Sequence, residues 1–393
     1  IKKKYRPIRV KNTMNFLKHL GRKKRSLSSA KFIAVTGSTG KTTVKTMLGE
    51  LLKQYSKTYF SPKSYNNHYG VPLSLCNISA EHNFGIFEIG MSNYGEIYKL
   101  SSMVEPEIGI ITNISEAHLE NFNSIKDIAK AKSEIIYNIQ KGGTVILNKD
   151  DKFFSYFKKI ARKNNIKIRS FGYSKKSDIK FLGIKKTKNN FIIKLSIDHE
   201  IYEFKISSIN KNYIMNLLCC VAVLNELGLN LKKVNTSFKN LKSLKGRGNI
   251  KRVNRFGKNF FLVDESYNAN PLSMKSAIEN FSNIKKNGKK KYFLFGDMME
   301  LGKNSHIYHK KISKFINNSS DIDKTFVYGE KAAEAYKFII KSRRGEIIKN
   351  FNSFDSKISK ILKNGDFLMI KGSNATKLHK VSENFLRGGQ NAL

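Results

Sequence analysis

The sequence predicts an α/β protein with two domains, each built on a mostly parallel sheet covered by helices. Short apolar runs alternate with helical patterns along most of the chain, which is typical of βα units. Glycine-containing polar loops follow directly after several of these runs, as expected where strands end in a parallel sheet. A length of 393 residues with 40% hydrophobic content is enough to bury more than one core.

The first alternating series begins at Lys31. "KFIAVT" (31–36) predicts a buried strand, and a helix carrying apolar residues on one face follows a glycine-rich turn. Three further apolar runs predict strands of the same sheet: "FGIFEIG" (84–90), "IGIITNI" (108–114) and "GGTVILN" (142–148).

The segment from about 175 to 208 has a different pattern. "FIIKLSI" (191–197) and "IYEFKIS" (201–207) are short strand patterns around polar turns, which indicates an antiparallel edge or flap. Tyr213 to Leu227 predicts a helix, and Gly228 is suited to end it.

A second alternating series follows a predicted hairpin around "RFGKN" (255–259). Its strand-to-loop junctions are "YFLFGD" (292–297), "TFVYGE" (325–330) and "DFLMIKGS" (366–373). We therefore predict a linker or helix at 1–30, a central domain at 31–245 with a phosphate loop, and a C-terminal Rossmann-like α/β domain at 246–393.

Composition excludes several classes of protein. No apolar run reaches the roughly 18 residues needed for a membrane span, and the basic start of the chain is not followed by the apolar segment of a secretory signal. Three cysteines make neither a disulfide framework nor a zinc set, which favours a reducing, cytoplasmic compartment. The net charge of +43 could attract a polyanion, but the lysines are scattered without interleaved aromatic residues. We therefore predict no specific nucleic-acid partner.

"AVTGSTGKTT" (34–43) is the strongest motif in the sequence. It lies between a predicted strand and a predicted helix, where backbone N–H groups form an anion cradle. Lys41 would reach the β- and γ-phosphates of a nucleotide, and the Thr42 hydroxyl would hold Mg²⁺. The residues predicted to bind ATP here are Gly37, Ser38, Thr39, Gly40, Lys41, Thr42 and Thr43.

Polar residues after two other strands suggest a metal position. Glu88 ends one apolar run, and Asn113 and His118 follow another. Because the carboxyl ends of parallel strands share one edge of a sheet, we expect Glu88 and His118 to ligate a metal together with Thr42.

Lys132 is in an unusual place. In "SIKDIAKAKSEIIYNI" (124–139) the isoleucines recur on one helical face, and Lys132 falls near the middle of that apolar stripe. Its side chain could snorkel to the surface, stay buried with a shifted pKa, or react with CO₂ to form a carbamate that ligates a metal. The residues alone do not choose among these three.

Taken together, these motifs resemble those of the Mur ligases over almost the whole chain. The resemblance extends through "YNNHYGVPLSL" (65–75), "FEIGMSNYGEI" (87–97) and "TNISEAHLENFNSIKDIAKAKSEI" (112–135). It continues in "GRG" (246–248), "DESYNANPLSM" (264–274), "GDMMELG" (296–302) and "KGS" (371–373). "SYNANP" with "GDMMELG" resembles the branch that adds D-alanyl-D-alanine.

The resemblance implies a role for each matching residue. Lys132 would be the carbamylated lysine that supports a second Mg²⁺, with Glu88 and His118 as the other ligands, and Lys41, Lys132 and His118 would be the catalytic residues. Asn270 would contact adenine, Arg247 the nucleotide phosphates, and Glu265, which replaces the family's usual Asp, the ribose. The residues expected to contact the other substrates are Asn66, Asn67, Asn113, Asp297, Lys371 and Ser373.

The activity implied is ATP-dependent amide formation in peptidoglycan precursor synthesis. D-alanyl-D-alanine would be joined to UDP-MurNAc-tripeptide through an acyl phosphate, with ATP, two Mg²⁺ ions and CO₂ as cofactors. The resemblance also implies that residues 1–30 are a remnant of the interdomain linker or helix and that most of the family's N-terminal UDP-binding domain is missing before Lys31. We also predict a monomer. The alternatives are a folylpolyglutamate-type ligase with another acceptor, a truncated inactive ATP-binding fragment, or a non-catalytic ATP-dependent protein that binds nucleic acid.

Overall fold

The computed structural model describes residues 8–187, 191–241, 244–285 and 287–387. It separates into two compact units. The first unit contains Ile1–Ile114 and Lys126–Leu241, and the second contains Ser115–Ile125 and Lys242–Leu393. The predicted domains at 31–245 and 246–393 run without interruption, whereas this division groups residues 115–125, which include His118, with the second unit. The predicted domain bounds remain a prediction.

The first unit is built on one sheet whose described strands lie in the order β2-β3-β1-β4-β5-β6-β7-β8-β9. The pairs from β2 to β7 are parallel, and β7, β8 and β9 pair antiparallel at one edge. The strands are β1 (Lys31–Thr36), β2 (Thr58–Phe60), β3 (Phe84–Glu88), β4 (Ile108–Ile111), β5 (Thr144–Asn148), β6 (Lys167–Gly172), β7 (Ile179–Lys186), β8 (Phe191–Ile197) and β9 (Glu200–Ile206). The predicted antiparallel edge is confirmed.

Helices cover this sheet because each has an apolar face. In the helix after the phosphate loop, Val44, Leu48 and Leu51 are fully buried in the main core of the unit. The helices are α1 (Thr13–Ser26), α2 (Lys41–Leu52), α3 (Gly70–Cys76), α4 (Glu96–Val104), α5 (Ile125–Ser133), α6 (Phe154–Lys163), α7 (Lys211–Glu226) and α8 (Ser237–Asn240), with 3₁₀ turns at Glu134–Asn138 and Leu231–Val234. The predicted helix over 124–139 is therefore α-helical only as far as Ser133. Gly228, at φ 67°, follows the end of α7 as predicted.

The second unit contains a second sheet, with its described strands in the order β10-β11-β15-β12-β13-β14. β10 and β11 form the predicted antiparallel hairpin, whose turn places Phe256 and Gly257 at positive φ, and the remaining pairs are parallel. The strands are β10 (Asn249–Arg255), β11 (Lys258–Asp264), β12 (Lys291–Gly296), β13 (Lys324–Tyr328), β14 (Arg344–Ile348) and β15 (Phe367–Lys371).

Helices pack against this second sheet with cores on two sides of it. One core includes Met274, Phe293 and Ile312, and the other includes Leu294, Phe354 and Phe385. The helices are α9 (Pro271–Asn283), α10 (Ser305–Asn318), α11 (Glu330–Tyr336), α12 (Phe351–Ile361) and α13 (Leu378–Arg387), with 3₁₀ turns at Gly302–Asn304, Lys341–Arg343 and Asn374–Thr376. The predicted α/β class with mostly parallel sheets is confirmed. Within the described ranges no helix is long and apolar enough to cross a membrane.

Candidate functional site

The loop between β1 and α2 has the backbone of a phosphate-binding loop. Gly37 and Gly40 have φ values of 145° and 84°, which side chains of L-residues rarely allow. A Cβ atom on Gly37 would lie 1.9 Å from Thr112 Oγ1, and one on Gly40 would lie 2.8 Å from Asn216 Oδ1. Both glycines are therefore required for this loop to lie against Thr112 and Asn216.

Lys41 and Thr42 open α2 with their side chains at this loop. Lys41 Nζ donates a hydrogen bond to the Gly37 carbonyl oxygen at 2.8 Å, so the ammonium is folded back over the loop. The Thr42 hydroxyl lies 3.2 Å from Ser64 Oγ. The positive end of the helix dipole and this ammonium together favour an anion here.

Asn113 braces the loop from the next strand of the sheet. Its Oδ1 accepts a hydrogen bond from the Thr39 N–H at 3.0 Å, and its Nδ2 donates to Thr39 Oγ1 at 2.8 Å. The Thr112 hydroxyl donates to the Thr39 carbonyl oxygen. Sequence reasoning assigned Asn113 to substrate binding, whereas the structure engages its side chain with the phosphate loop.

Glu88 ends β3 with its carboxylate 1% exposed. Its Oε1 accepts a hydrogen bond from Asn66 Nδ2 at 2.7 Å, while its Oε2 is buried and accepts none from the described residues. The side chain of Lys45 is also 1% exposed. Its Nζ lies 3.8 Å from Glu88 Oε2 and donates a hydrogen bond to the Lys63 carbonyl oxygen. Asn67 caps the start of α3, since its Oδ1 accepts from the N–H groups of Tyr69 and Gly70.

Lys132, near the end of α5, is completely buried. Its Nζ has no hydrogen-bond partner among the described residues. Burial lowers the pKa of Lys132 well below its usual value, and the charge of Lys41 lowers it further. The side chain does not snorkel to the surface, and its surroundings disfavour the charged ammonium form.

These side chains of the first unit fit a metal ion and a carbamate. Glu88 Oε2 and Lys132 Nζ are two buried polar atoms with no hydrogen bond from the described residues, which is the condition expected of atoms that bind something else. A hydroxyl and a carboxylate oxygen are ligands that Mg²⁺ prefers. No group of three His, Cys, Asp or Glu side chains in the described part of the chain forms a ready metal site. A carbamate on Lys132 would supply the missing anionic oxygens.

His118 lies in the second unit, whereas Thr42, Glu88 and Lys132 lie in the first. His118 Nδ1 lies 2.7 Å from Glu300 Oε2. The expectation that neighbouring strands bring Glu88, His118 and Thr42 together remains a prediction, as does the addition of Lys132, which the family resemblance implies.

In the second unit, Lys371 ends β15 fully buried. Its Nζ donates to the Asn268 carbonyl oxygen at 3.0 Å and lies 3.5 Å from Glu265 Oε2. Burial lowers the pKa of Lys371, and the Glu265 carboxylate opposes that shift. Lys371 therefore orders the loop that carries Glu265 and Asn268, and the substrate role predicted for it remains a prediction.

Asn270 and Arg247 flank this loop. Asn270 caps α9 through a reciprocal pair of hydrogen bonds with Ser273. The guanidinium of Arg247 lies 4.3 Å from the centre of the Tyr267 ring, a cation–π contact.

Asp297 and Ser373 hold the loop after β12. Asp297 Oδ1 accepts from the Ala332 N–H at 2.7 Å, at the start of α11. Ser373 Oγ accepts from the Met299 N–H at 2.8 Å and donates to the Ala269 carbonyl oxygen at 3.2 Å.

Sequence reasoning missed the contact of Lys45 with Glu88. Lys45 is in register with Leu48 and Leu52 on the buried face of α2, so the test that found Lys132 would also have found it.

Comparisons with known proteins agree with this geometry. Residues 35–224 match the Mur ligase middle domain, and residues 251–374 match the domain described as "Mur ligase, glutamate ligase domain". The UDP-N-acetylmuramoyl-tripeptide–D-alanyl-D-alanine ligase of Rickettsia prowazekii is 30% identical over 95% of this chain and 82% of its own length. The chain belongs to the Mur ligase family.

Other Mur ligases agree in sequence and in structure. The enzyme of the same name from Buchnera aphidicola (Acyrthosiphon pisum) is 32% identical over 97% of this chain and 82% of its own length. The crystal structure of MurF from Acinetobacter baumannii is 27% identical, with a TM-score of 0.85 over 97% of this chain and 84% of that one. The MurF ligase of Thermotoga maritima in complex with ADP is 25% identical, with a TM-score of 0.83 over 98% of this chain and 86% of that one.

Proposed function

We propose that this Mur ligase joins D-alanyl-D-alanine to UDP-N-acetylmuramoyl-tripeptide at the expense of ATP, as a step of peptidoglycan precursor synthesis. The observation that carries the proposal is the phosphate loop with Lys41 and Thr42 at the start of α2. Relatives named for this activity and a related ligase structure with ADP support it. The sequence stretches "SYNANP" and "GDMMELG" favour this acceptor over that of a folylpolyglutamate-type ligase.

The proposed ATP contacts fall into a phosphate-binding group and a nucleoside-binding group. The backbone N–H groups of residues 37–43 surround the phosphates, and Lys41 leaves its contact with the Gly37 carbonyl oxygen to hold the γ-phosphate. Arg247 contacts the phosphates, Glu265 the ribose and Asn270 the adenine. Lys371 supports this role indirectly, because its contacts hold the segment from Glu265 to Asn268 in place.

The reaction proceeds in two transfers. A carboxylate oxygen of the tripeptide attacks the γ-phosphorus, the bond to ADP breaks, and an acyl phosphate forms. The amine of D-alanyl-D-alanine then attacks the acyl carbon, inorganic phosphate leaves, and the amine gives up a proton. Lys41 contributes by offsetting negative charge at the transferred phosphoryl group.

Magnesium would be held by Thr42, Glu88 and His118, with Lys132 as a carbamate. If Nζ of Lys132 is uncharged, it would add to the carbon of CO₂ and lose a proton, which would convert a buried amine into a carbamate anion. Lys45 and Asn66 keep the Glu88 carboxylate oriented while its Oε2 is left for the ion. A bound divalent ion would neutralise charge between the phosphates and the attacking carboxylate.

The remaining substrate contacts are proposed for side chains that already have structural partners. Asn66, Asn67 and Asn113 would border the muramoyl substrate, while Asp297, Lys371 and Ser373 would border the dipeptide. Each of these side chains already makes at least one hydrogen bond within the protein. It would therefore contact the substrate through its remaining polar atoms, or act indirectly by holding the loop that borders the substrate. We also propose a cytoplasmic monomer with free cysteines and no specific nucleic-acid partner.

Phosphate release from ATP tests the activity. UDP-MurNAc-tripeptide and D-alanyl-D-alanine are added singly and together, and we expect release to require both, with one amide product formed per phosphate. Release with neither substrate, or no release with both, would contradict the proposed acceptor and donor. Replacing the dipeptide with L-glutamate is the control for the folylpolyglutamate-type alternative.

The carbamate has its own test. Protein equilibrated with ¹³C-bicarbonate should show a carbamate carbon by NMR, and the Lys132→Met variant should lack that resonance. A spectrum in which parent and variant are identical would remove Lys132 from the proposed metal site while leaving the ligase assignment open to the phosphate assay.

A further inference from the structure

Two loops of the second unit interlock at His118 and Glu300. His118 Nδ1 lies 2.7 Å from Glu300 Oε2. The backbone is joined at the same place, since the Glu120 N–H donates to the Glu300 carbonyl oxygen at 3.1 Å. The side-chain contact is therefore reinforced by a main-chain contact between the same loops.

The backbone at both residues is unusual. His118 and Glu300 have φ values of 58° and 65°, in the left-handed region that residues other than glycine rarely adopt. Such conformations persist where surrounding contacts determine them, and they cluster at functional sites. Gly302, at φ 62°, completes the fit, because a Cβ atom there would lie 3.0 Å from the Leu119 carbonyl oxygen.

The loop that carries Glu300 is anchored just before it. The Met298 N–H donates to Nε2 of the buried His309 at 2.9 Å, and the Met299 N–H donates to Ser373 Oγ at 2.8 Å. Leu301 is buried in the core of the unit. Glu300 is thus held on both sides, although its own side chain is half exposed.

We propose that Glu300 is a positioning residue for His118: its carboxylate accepts a hydrogen bond from Nδ1–H and so leaves the Nε2 lone pair free for a divalent cation. The hydrogen bond at one ring nitrogen decides which nitrogen carries the proton. A carboxylate behind a histidine also fixes the ring orientation and raises its basicity as a ligand. The metal role of His118 rests on the proposed function, whereas the tautomer does not.

The tautomer is measured directly in the 393-residue chain without nucleotide or metal. Histidine is labelled with ¹⁵N, and the His118 ring signals are assigned by their loss in His118→Asn. In spectra that show a neutral His118 ring, we expect a proton on Nδ1 of the parent, the same tautomer in Glu300→Gln, and a mixture in Glu300→Ala. A proton on Nε2 in the parent, or an unchanged tautomer in Glu300→Ala, would overturn the proposal.

The magnesium dependence of ligation provides a second readout. Glu300→Ala should raise the Mg²⁺ concentration for half-maximal rate by about tenfold, and Glu300→Gln should stay near the parent. Glu203→Ala is the matched control, because it removes a similarly half-exposed ion pair, with Lys194 at 2.9 Å. An equal effect of Glu203→Ala and Glu300→Ala would show a general loss of stability and contradict a positioning role. If no ligation is found at all, the proposed function fails, and the NMR result still decides the tautomer.

Discussion

Lys132 in the first unit and Lys291 in the second are both completely buried, yet their surroundings differ. Lys291 Nζ donates to the Ser282 and Ile284 carbonyl oxygens at 2.9 and 2.6 Å, so it satisfies the end of α9. Lys132 Nζ has no hydrogen-bond partner among the described residues. Hydrogen bonds within the protein thus account for the burial of Lys291, whereas no such bond accounts for the burial of Lys132.

The difference between the two lysines lies in the unpaired Nζ atom and not in burial, which both share. A buried amine without a partner costs free energy unless something else occupies the site. Lys41 lies close enough to lower the pKa of Lys132, so the groups around Lys132 disfavour its charge. The same arrangement favours a neutral amine that can react with CO₂.

Lys41→Met should give the largest effect, because it removes the cation that serves both the phosphate loop and the environment of Lys132. We expect ligation to fall by about 10³-fold, on the scale seen when a phosphate-binding cation is lost from phosphoryl transfer. Phosphate release under saturating substrates measures it. The control is Lys53→Met, which replaces an exposed lysine just after the end of the same helix. If Lys41→Met turned over as fast as Lys53→Met, the phosphate-loop assignment would be contradicted.

Lys132→Met tests the functional half of the comparison. Methionine fills a similar volume without a polar atom, so the fold should be retained while ligation falls by at least about 100-fold, as for loss of a charged group that stabilises a transition state. Nucleotide affinity should be unchanged, and added bicarbonate should not restore the rate. Ligation near the parent rate would place Lys132 with Lys291 as a purely structural lysine.

The sequence predicted more of this fold than of the site. β1, the hairpin at Gly257 and the end of α7 each have strong local signals, whereas β14 ("RGEII", 344–348) is a half-exposed edge strand with little apolar alternation. The apolar stripe of α5 predicted that Lys132 is unusual. It could not show the missing partner, because that depends on groups brought close only by the fold. The contact between His118 and Glu300 likewise joins two loops that are distant in sequence.

Lys291→Met tests the structural half. It leaves two partly buried carbonyl oxygens without this donor, which we expect to lower the free energy of unfolding by about 1–3 kcal/mol. Urea unfolding measures this change, and ligation per folded molecule should be unaffected. A loss of ligation without a loss of stability would show that the two lysines are not distinguished by their hydrogen bonds.

The pH dependence of stability gives the smallest and most direct difference. Because the pKa of Lys132 is lowered by burial, the unfolded chain binds one more proton than the folded chain between the folded pKa and the unfolded value of about 10.4. The free energy of unfolding should therefore rise with pH through that window, by up to about 1.4 kcal/mol per unit from this residue, and level off above it. Lys132→Met should lack this slope when both proteins are unfolded in urea under CO₂-free conditions, while Lys291→Met should keep it. Parallel profiles for the parent and Lys132→Met would mean that Lys132 is charged in the folded protein, and a charged Lys132 could not be the neutral amine that carbamylation requires.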